Sequence, residues 1–348
     1  MRVGVLTFHR CINYGSYWQA RCLVEGIAAR GHEAVLLDHH SRAVTSQEWR
    51  YAFQPLLPDR SGREDIRRYG VKLRRFHEAF RALPLSAPFD LDDPSEMPGV
   101  DLAVIGSDEV LNLGHPWYGG KPVFWGQGVR APRVVTYAAS SGNMDASGGL
   151  APEWAGRLAR LDAIAVRDEN TREVVRGATG QEPAMVLDPV LQFPPVVTPA
   201  QEPAPYLLVY GHHIPDWFAA RVQDAAARRG WRTISVGYRN DWADEQRLEA
   251  GPHEFAALVA GAEAVATTYF HGCVFSLAFG RPFVAAPSFY RWNKLRDLTA
   301  LLGAERHLTF EDRPASEVGA ALDRPPQVDA RLAELRAQSD AWLGGVLA

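Results

Sequence analysis

The chain has 348 residues, 47% of them hydrophobic and 22% charged, with a formal net charge of -4. This composition describes a globular chain with room for two cores and gives no reason to expect nucleic acid as the main partner. No apolar run reaches membrane-spanning length, and the opening MRVGVLTFHRC lacks the long apolar core of a secretion signal; three cysteines without CxxC or metal-ligand spacing fit a reducing cytoplasm.

Residues 2–7 read as a first strand, and the loop 9–16 follows, with Asn13 and Gly15 supplying turn chemistry. Ser16 is read as the N-cap of a helix that runs to about residue 30 and is ended by Gly31. Residues 34–38 form the next strand, so the chain opens as a β-loop-α-β unit resembling a Rossmann start, yet without the GxGxxG dinucleotide fingerprint. Residues 45–83 are arginine-rich and helical in character. They are read as a solvated face covering the first domain, with contact to an anionic acceptor as the other reading. Residues 84–98 are rich in proline and aspartate and read as a loop. Strands follow at 101–105, ending in Gly106-Ser107-Asp108-Glu109, at 133–139, ending in Ser140-Ser141-Gly142-Asn143, and at 163–166, ending in Arg167-Asp168-Glu169. The segment 186–189 is the last strand signal of this half.

Five prolines in residues 193–205 mark a linker, after which the pattern restarts. Residues 206–210 and 233–237 read as strands, and 216–229 and 253–260 as helices. The stretch 262–285 is the most ordered in pattern. It holds a buried strand at 264–267, a turn at Thr268-Tyr269-Phe270, then a helix opening at His271-Gly272 with Val274, Leu277 and Ala278 on one face. Gly280 and Pro282 stop that helix, and a strand follows at 283–286. A terminal amphipathic helix covers 328–345, with Leu332, Leu335 and Trp342 as candidate buried positions. The fold class is therefore α/β, in two domains at 1–195 and 196–348, with a cleft expected between them and the C-terminal helix packing back on the first.

Four polar stations follow strand ends: Asn13 to Ser16, Ser107-Asp108, Arg167-Asp168-Glu169 and His271-Gly272. In open α/β sheets, ligands bind at the carboxyl ends of strands, where helix N-termini offer free N–H groups to anions. A guanidinium suits a phosphate, and a histidine or carboxylate suits proton transfer. Each station also has a plain structural reading: a turn, a helix cap, a surface ion pair, a satisfied core histidine. Position alone does not choose between them. The histidine pairs His39-His40 and His212-His213 have no trusted metal pattern, and no HExxH, GxSxG or P-loop occurs. The aromatic stretch with Trp117, Tyr118, Phe124 and Trp125 is read as core filling, with sugar stacking as the rarer use.

Several segments, in matching order, resemble the polysaccharide pyruvyl transferase family. They are LTFHRCINYGSYWQA, VIGSDEVLN, TYAASSG, AVRDENT, VLDPVL and GPHEFAALVAGAEAVATTYFHGCVFSLAFGRPFV. The resemblance implies a two-domain, Rossmann-like architecture similar to GT-B glycosyltransferases. It also implies transfer of an enolpyruvyl-derived group from phosphoenolpyruvate to a sugar of a glycan, leaving a pyruvate ketal and phosphate, with no cofactor and no metal. On that basis Arg167 binds the donor phosphate or carboxylate, and His271 holds phosphate and acts as acid. Thr268, Tyr269, Gly272, Arg291 and Lys294 complete the donor site. Asn13, Tyr14, Gly15, Ser107 and Asn112 shape the acceptor side. Asp108 is the candidate base, from chemistry and position. The box that reads S-R-L-H in many members is Thr268-Tyr269-Phe270-His271 here, so tyrosine replaces an arginine that aids donor binding. The implied acceptor is a sugar or glycan, lipid-linked acceptors included, and the implied location is the cytoplasm or the inner membrane face. A nucleotide-sugar glycosyltransferase and a non-catalytic glycan- or phosphate-binding protein are the alternatives.

Overall fold

The computed structural model describes residues 1–348, which form two compact α/β units. The first unit comprises residues 1–48, 80–193 and 330–348; the second comprises 49–79 and 194–329. Residues 49–79, expected to cover the first domain, thus belong to the second unit.

In the first unit a four-stranded parallel sheet has the order Glu33–Leu36, Arg2–Leu6, Leu102–Ile105, Arg133–Thr136. Val3, Val5, Val104 and Ile105 are fully buried, as expected for strands covered on both faces. The strand order reverses between Arg2–Leu6 and Leu102–Ile105, so a crevice opens at their carboxyl ends. The helix Tyr14–Ala28 covers this sheet, and its N-cap is Asn13 rather than Ser16: the Asn13 Oδ1 accepts from the Ser16 N–H at 3.2 Å. Asn13 therefore caps, which frees the Ser16 hydroxyl for a longer-range contact. The expected strand 186–189 is displaced, because Ala184–Met185 is the strand and Asp188 caps the short helix Pro189–Gln192. The terminal helix Asp329–Leu347 buries Leu332 and Leu335, and its Ser339 hydroxyl accepts from the Leu187 N–H at 2.9 Å. Trp342 is half-buried, with its ring 6.0 Å from that of Tyr137. Tyr118, Phe124 and Trp125 are buried in the core cluster, so the aromatic stretch fills the core.

The second unit has a five-stranded parallel sheet in the order Glu245–Arg247, Arg232–Val236, Tyr206–Tyr210, Ala264–Thr267, Phe283–Ala285. Numbered along the chain these strands run 3-2-1-4-5, a doubly wound arrangement whose switch point lies between Tyr206–Tyr210 and Ala264–Thr267. The segment expected to be a solvated face forms two helices, Arg42–Phe53 and Arg63–Arg81. Tyr69, Leu73 and Phe76 bury one side of the second helix. That helix is fastened within the unit: the Lys72 Nζ donates to the Gly237 carbonyl at 3.0 Å, the Arg68 Nε to Glu249 at 2.7 Å and the Arg75 Nη1 to the Glu249 carbonyl at 3.0 Å. Local sequence could not reveal these partners, which lie more than 160 residues downstream. No helix of the structure is long and apolar enough to cross a membrane.

Candidate functional site

At the switch point of the first unit, the chain leaves strand Leu102–Ile105 through Gly106 and reaches Asp108 in a left-handed conformation, φ 77°. Gly106 has φ 121°, and a Cβ there would lie 2.2 Å from the Tyr137 carbonyl oxygen, so only glycine allows this approach. The turn places the Asp108 carboxylate, 8% exposed, beside the helix Tyr14–Ala28. Its Oδ2 accepts from the Ser16 hydroxyl at 2.6 Å, while its Oδ1 accepts from the Glu109 N–H at 3.0 Å and from the Arg167 Nη2 at 3.4 Å. Ser107 is fully buried and links the end of the first strand to the helix: its carbonyl accepts from the Thr7 hydroxyl at 2.8 Å and its hydroxyl donates to Gln19 at 2.7 Å. Asn112 donates to Glu109 at 2.7 Å. Tyr14 and Gly15 are buried in the first turn of the helix.

Arg167 is 5% exposed and donates to Asp188 Oδ2 at 2.8 Å. Burial disfavours its charge, but Asp188 first and Asp108 next outweigh that, and the guanidinium is held charged above its usual range. The guanidinium is thus set between two carboxylates, Asp188 and, less closely, Asp108. Glu48 joins the same region unannounced by any motif: it accepts from the Ile12 N–H at 2.9 Å and from the Trp117 Nε1 at 2.7 Å. Burial pushes its carboxyl above the ordinary range.

At the switch point of the second unit, the Thr267 hydroxyl donates to the Tyr210 carbonyl at 2.6 Å and accepts from the Tyr269 N–H at 3.0 Å, which turns the chain into the helix Phe270–Ala278. No side chain caps that helix at Tyr269, and its N-terminus carries the positive end of the helix dipole. Beside it the Thr268 hydroxyl is buried, 3% exposed, with no hydrogen-bond partner. His271 is 8% exposed in the first turn, and Gly272 is pressed onto the strand: a Cβ there would lie 2.2 Å from the Thr267 Oγ1. Tyr269 stacks among Tyr210, Tyr238 and His212, with ring centroids 4.8, 5.5 and 5.5 Å away. The Arg291 guanidinium lies over the Tyr269 ring at 4.1 Å. Arg291 thus brings a positive charge to the position where the tyrosine itself brings none. Lys294 is buried, three residues after Arg291 and 5.5 Å from the Tyr290 ring. Burial, followed by the nearby Arg291, lowers the His212 pKa to about 3, so this imidazole is neutral at physiological pH.

The structure therefore joins Asn13, Ser107, Asp108 and Arg167 through Ser16, Gln19 and Asp188 in one unit, and Thr268, Tyr269, His271, Gly272 and Arg291 around one helix N-terminus in the other. Sequence reading gave no role to Glu48, Asp188, Tyr210 or Tyr238, although Asp188 lies in the VLDPVL segment and Tyr210 at a strand's carboxyl end.

Solved structures of similar fold support the α/β, GT-B-like class. The UDP-GlcNAc 2-epimerase of Neisseria meningitidis, bound to UDP-GlcNAc, aligns over 100% of both chains with a TM-score of 0.56 at 8% identity. That of Methanocaldococcus jannaschii aligns over 100% of both chains with a TM-score of 0.53 at 11% identity. No curated protein matches the chain in sequence. The family model "Polysaccharide pyruvyl transferase" matches residues 13–287, a span that contains Asn13, Asp108, Arg167 and His271. With most of its length inside that match, the chain belongs to the polysaccharide pyruvyl transferase family and is a transferase.

Proposed function

We infer that the protein moves the enolpyruvyl-derived group of phosphoenolpyruvate onto two hydroxyls of a sugar in a glycan or glycoconjugate, forming a pyruvate ketal and releasing phosphate. The observation that carries this reading is the pairing of chemistry with topology. Each unit has polar groups at its switch point, a carboxylate in one and a helix N-terminus with a nearby cation in the other, the kind of terminus that suits an anion.

In this reading the N-terminal turn of the helix Phe270–Ala278, the His271 side chain, the Thr268 hydroxyl, Arg291 and Lys294 bind the donor's anionic groups. The helix dipole and the guanidinium stabilise the departing phosphate. Protonation of the donor's methylene carbon leaves an oxocarbenium-like centre at its neighbour, with His271 as the acid. One sugar hydroxyl attacks that centre and gives its proton to Asp108. Phosphate then leaves with the proton held by Asp108, and the second hydroxyl closes the ketal and returns its proton to His271. Ser16 and Arg167 hold the Asp108 carboxylate in place, and Asn13, Tyr14, Gly15, Ser107 and Asn112 shape the acceptor side. The reaction needs only proton transfers and an anionic leaving group, so no cofactor enters it.

Calorimetric titration of phosphoenolpyruvate into the wild type, His271→Ala and Arg291→Ala tests the donor site. Binding by the wild type that weakens at least about tenfold in each variant is expected, since each loses a charge-assisted contact worth about 1.5–3 kcal/mol. Equal binding by all three proteins removes these residues from the donor site. Binding of a nucleoside diphosphate in place of phosphoenolpyruvate converts the reading to a nucleotide-sugar glycosyltransferase. A ligand bound without any bond cleavage on long incubation points to a non-catalytic binding protein.

A further inference from the structure

Residues 49–79 of the second unit carry eight Lys and Arg against four Asp and Glu, a net of +4 within a chain of net charge -4. The charge is not spread evenly around the helix Arg63–Arg81. At about 100° per residue, Arg63, Arg67 and Arg74 fall within about 40° of one another, on the side opposite the buried Lys72 and Phe76. All three are exposed and pair with no carboxylate. Arg68 and Arg75, further round the helix, are engaged by Glu249 and Glu254. Glu64 lies about 100° round from Arg63, while the exposed Glu78 falls within about 60° of it, so this face carries three guanidinium groups against one carboxylate.

One large aromatic side chain, that of Trp49, borders the same surface. The helix Arg42–Phe53 runs antiparallel to the arginine helix: the Trp49 ring sits 6.1 Å from that of His77, and Phe53 lies against Gly70. His77 is one turn beyond Arg74, so Trp49, which is 46% exposed, stands at the edge of the stripe. Leu56 and Leu57 in the connecting turn are half-exposed.

We propose that this helical hairpin docks the protein on an anionic lipid bilayer, the arginines lying at the headgroups and Trp49 entering the interface. Unpaired cations alone would suit any polyanion. An exposed tryptophan beside them fits a surface that is charged outside and apolar beneath, where amphipathic rings are favoured. A basic stripe and an apolar anchor are the two signals that stable peripheral attachment needs. The inference does not depend on the donor or on the reaction.

Sedimentation of the full chain with vesicles tests it, using phosphatidylcholine alone and phosphatidylcholine with phosphatidylglycerol at about 0.1 M salt. Binding to the anionic vesicles only, fading as salt rises, is expected. The triple variant R63Q/R67Q/R74Q should bind about 100-fold more weakly, at about fivefold per arginine. Trp49→Ala should weaken binding while keeping the salt dependence. All four positions are exposed, so both variants should keep the wild-type thermal midpoint. Failure of the wild type to bind, equal binding to neutral vesicles, or unchanged binding by a folded triple variant overturns the proposal. Equal affinity for soluble dextran sulfate, with no effect of Trp49→Ala, replaces the bilayer with a soluble polyanion.

Discussion

Asp108 holds a left-handed backbone conformation that costs a residue with a Cβ about 1–2 kcal/mol, and the cost is smallest for Asp, Asn and Gly. The surrounding contacts compensate: Ser16 and Glu109 donate to its carboxylate, and Arg167 lies against it. Asp108→Asn should therefore fold normally, since asparagine tolerates φ 77° and Arg167 keeps Asp188. If the carboxylate takes the acceptor's proton, that variant should lose at least about 100-fold in turnover. Asp108→Ala should lose the same turnover and also about 1–2 kcal/mol of stability, because alanine meets the backbone strain without polar compensation. Ketal formation and urea denaturation separate the two effects, and an active, folded Asp108→Asn would remove Asp108 from the chemistry. Sequence alone exposed Asp108 because a strand runs into it. It could not expose what holds the carboxylate, since Ser16 is 92 positions away and Arg167 is 59 positions away.

The strand Ala264–Thr267 and helix Phe270–Ala278 were legible for local reasons: an apolar run, an uncapped polar turn, then Gly280 and Pro282 as stops. The helix at 63–81 was legible as a helix, but its docking was not, because Lys72 and Arg68 find partners far along the chain. The N-cap moved from Ser16 to Asn13 because both residue types cap well and only tertiary contact with Asp108 distinguishes them. Gly272 shows how tightly the strand and the helix meet. In an open helix, Gly→Ala gains about 1 kcal/mol. Here the added Cβ would lie 2.2 Å from the Thr267 Oγ1, and that hydroxyl is committed to the Tyr210 carbonyl at 2.6 Å. Neither side can give way without moving the helix off the strand, an overpacking cost of about 1–3 kcal/mol. Gly272→Ala should therefore lower the urea midpoint and weaken phosphoenolpyruvate binding together, as the helix N-terminus shifts. A variant more stable than the wild type would show that the junction has slack.

At the scale of the whole molecule, the proline-rich segment at 193–205 was read as the division between two halves, yet residues 49–79 belong to the second compact unit and 330–348 to the first. Sequence order is a poor guide to such exchanges, because a helix is assigned to a unit by what it buries. Lys72 records this packing as a pH dependence. Burial lowers its pKa to about 7, against about 10.5 in the unfolded chain. The Gly237 carbonyl at 3.0 Å and the Tyr238 ring at 4.6 Å favour the ammonium and only partly offset the burial. Above pH 7 the folded protein releases this proton while the unfolded chain keeps it, so stability rises with pH across the window from 7 toward 10.5. Below pH 7 both states carry the charge and the burial penalty is fully present. The buried thiols act with the opposite sign. Burial pushes Cys11, Cys22 and Cys273 up, so their contribution is lost only as pH rises through the unfolded thiol range, about 8.5 and above. Between pH 7 and 8.5 Lys72 therefore dominates, and the wild type should gain about 1–2 kcal/mol in urea denaturation over that interval. Lys72→Met keeps the buried volume and removes the charge. It should be the more stable protein at pH 7 and show a nearly flat profile to pH 8.5. A methionine variant that is less stable at pH 7 and retains the wild-type slope would mean that the ammonium is fully compensated where it lies, and that the pH dependence arises from another group.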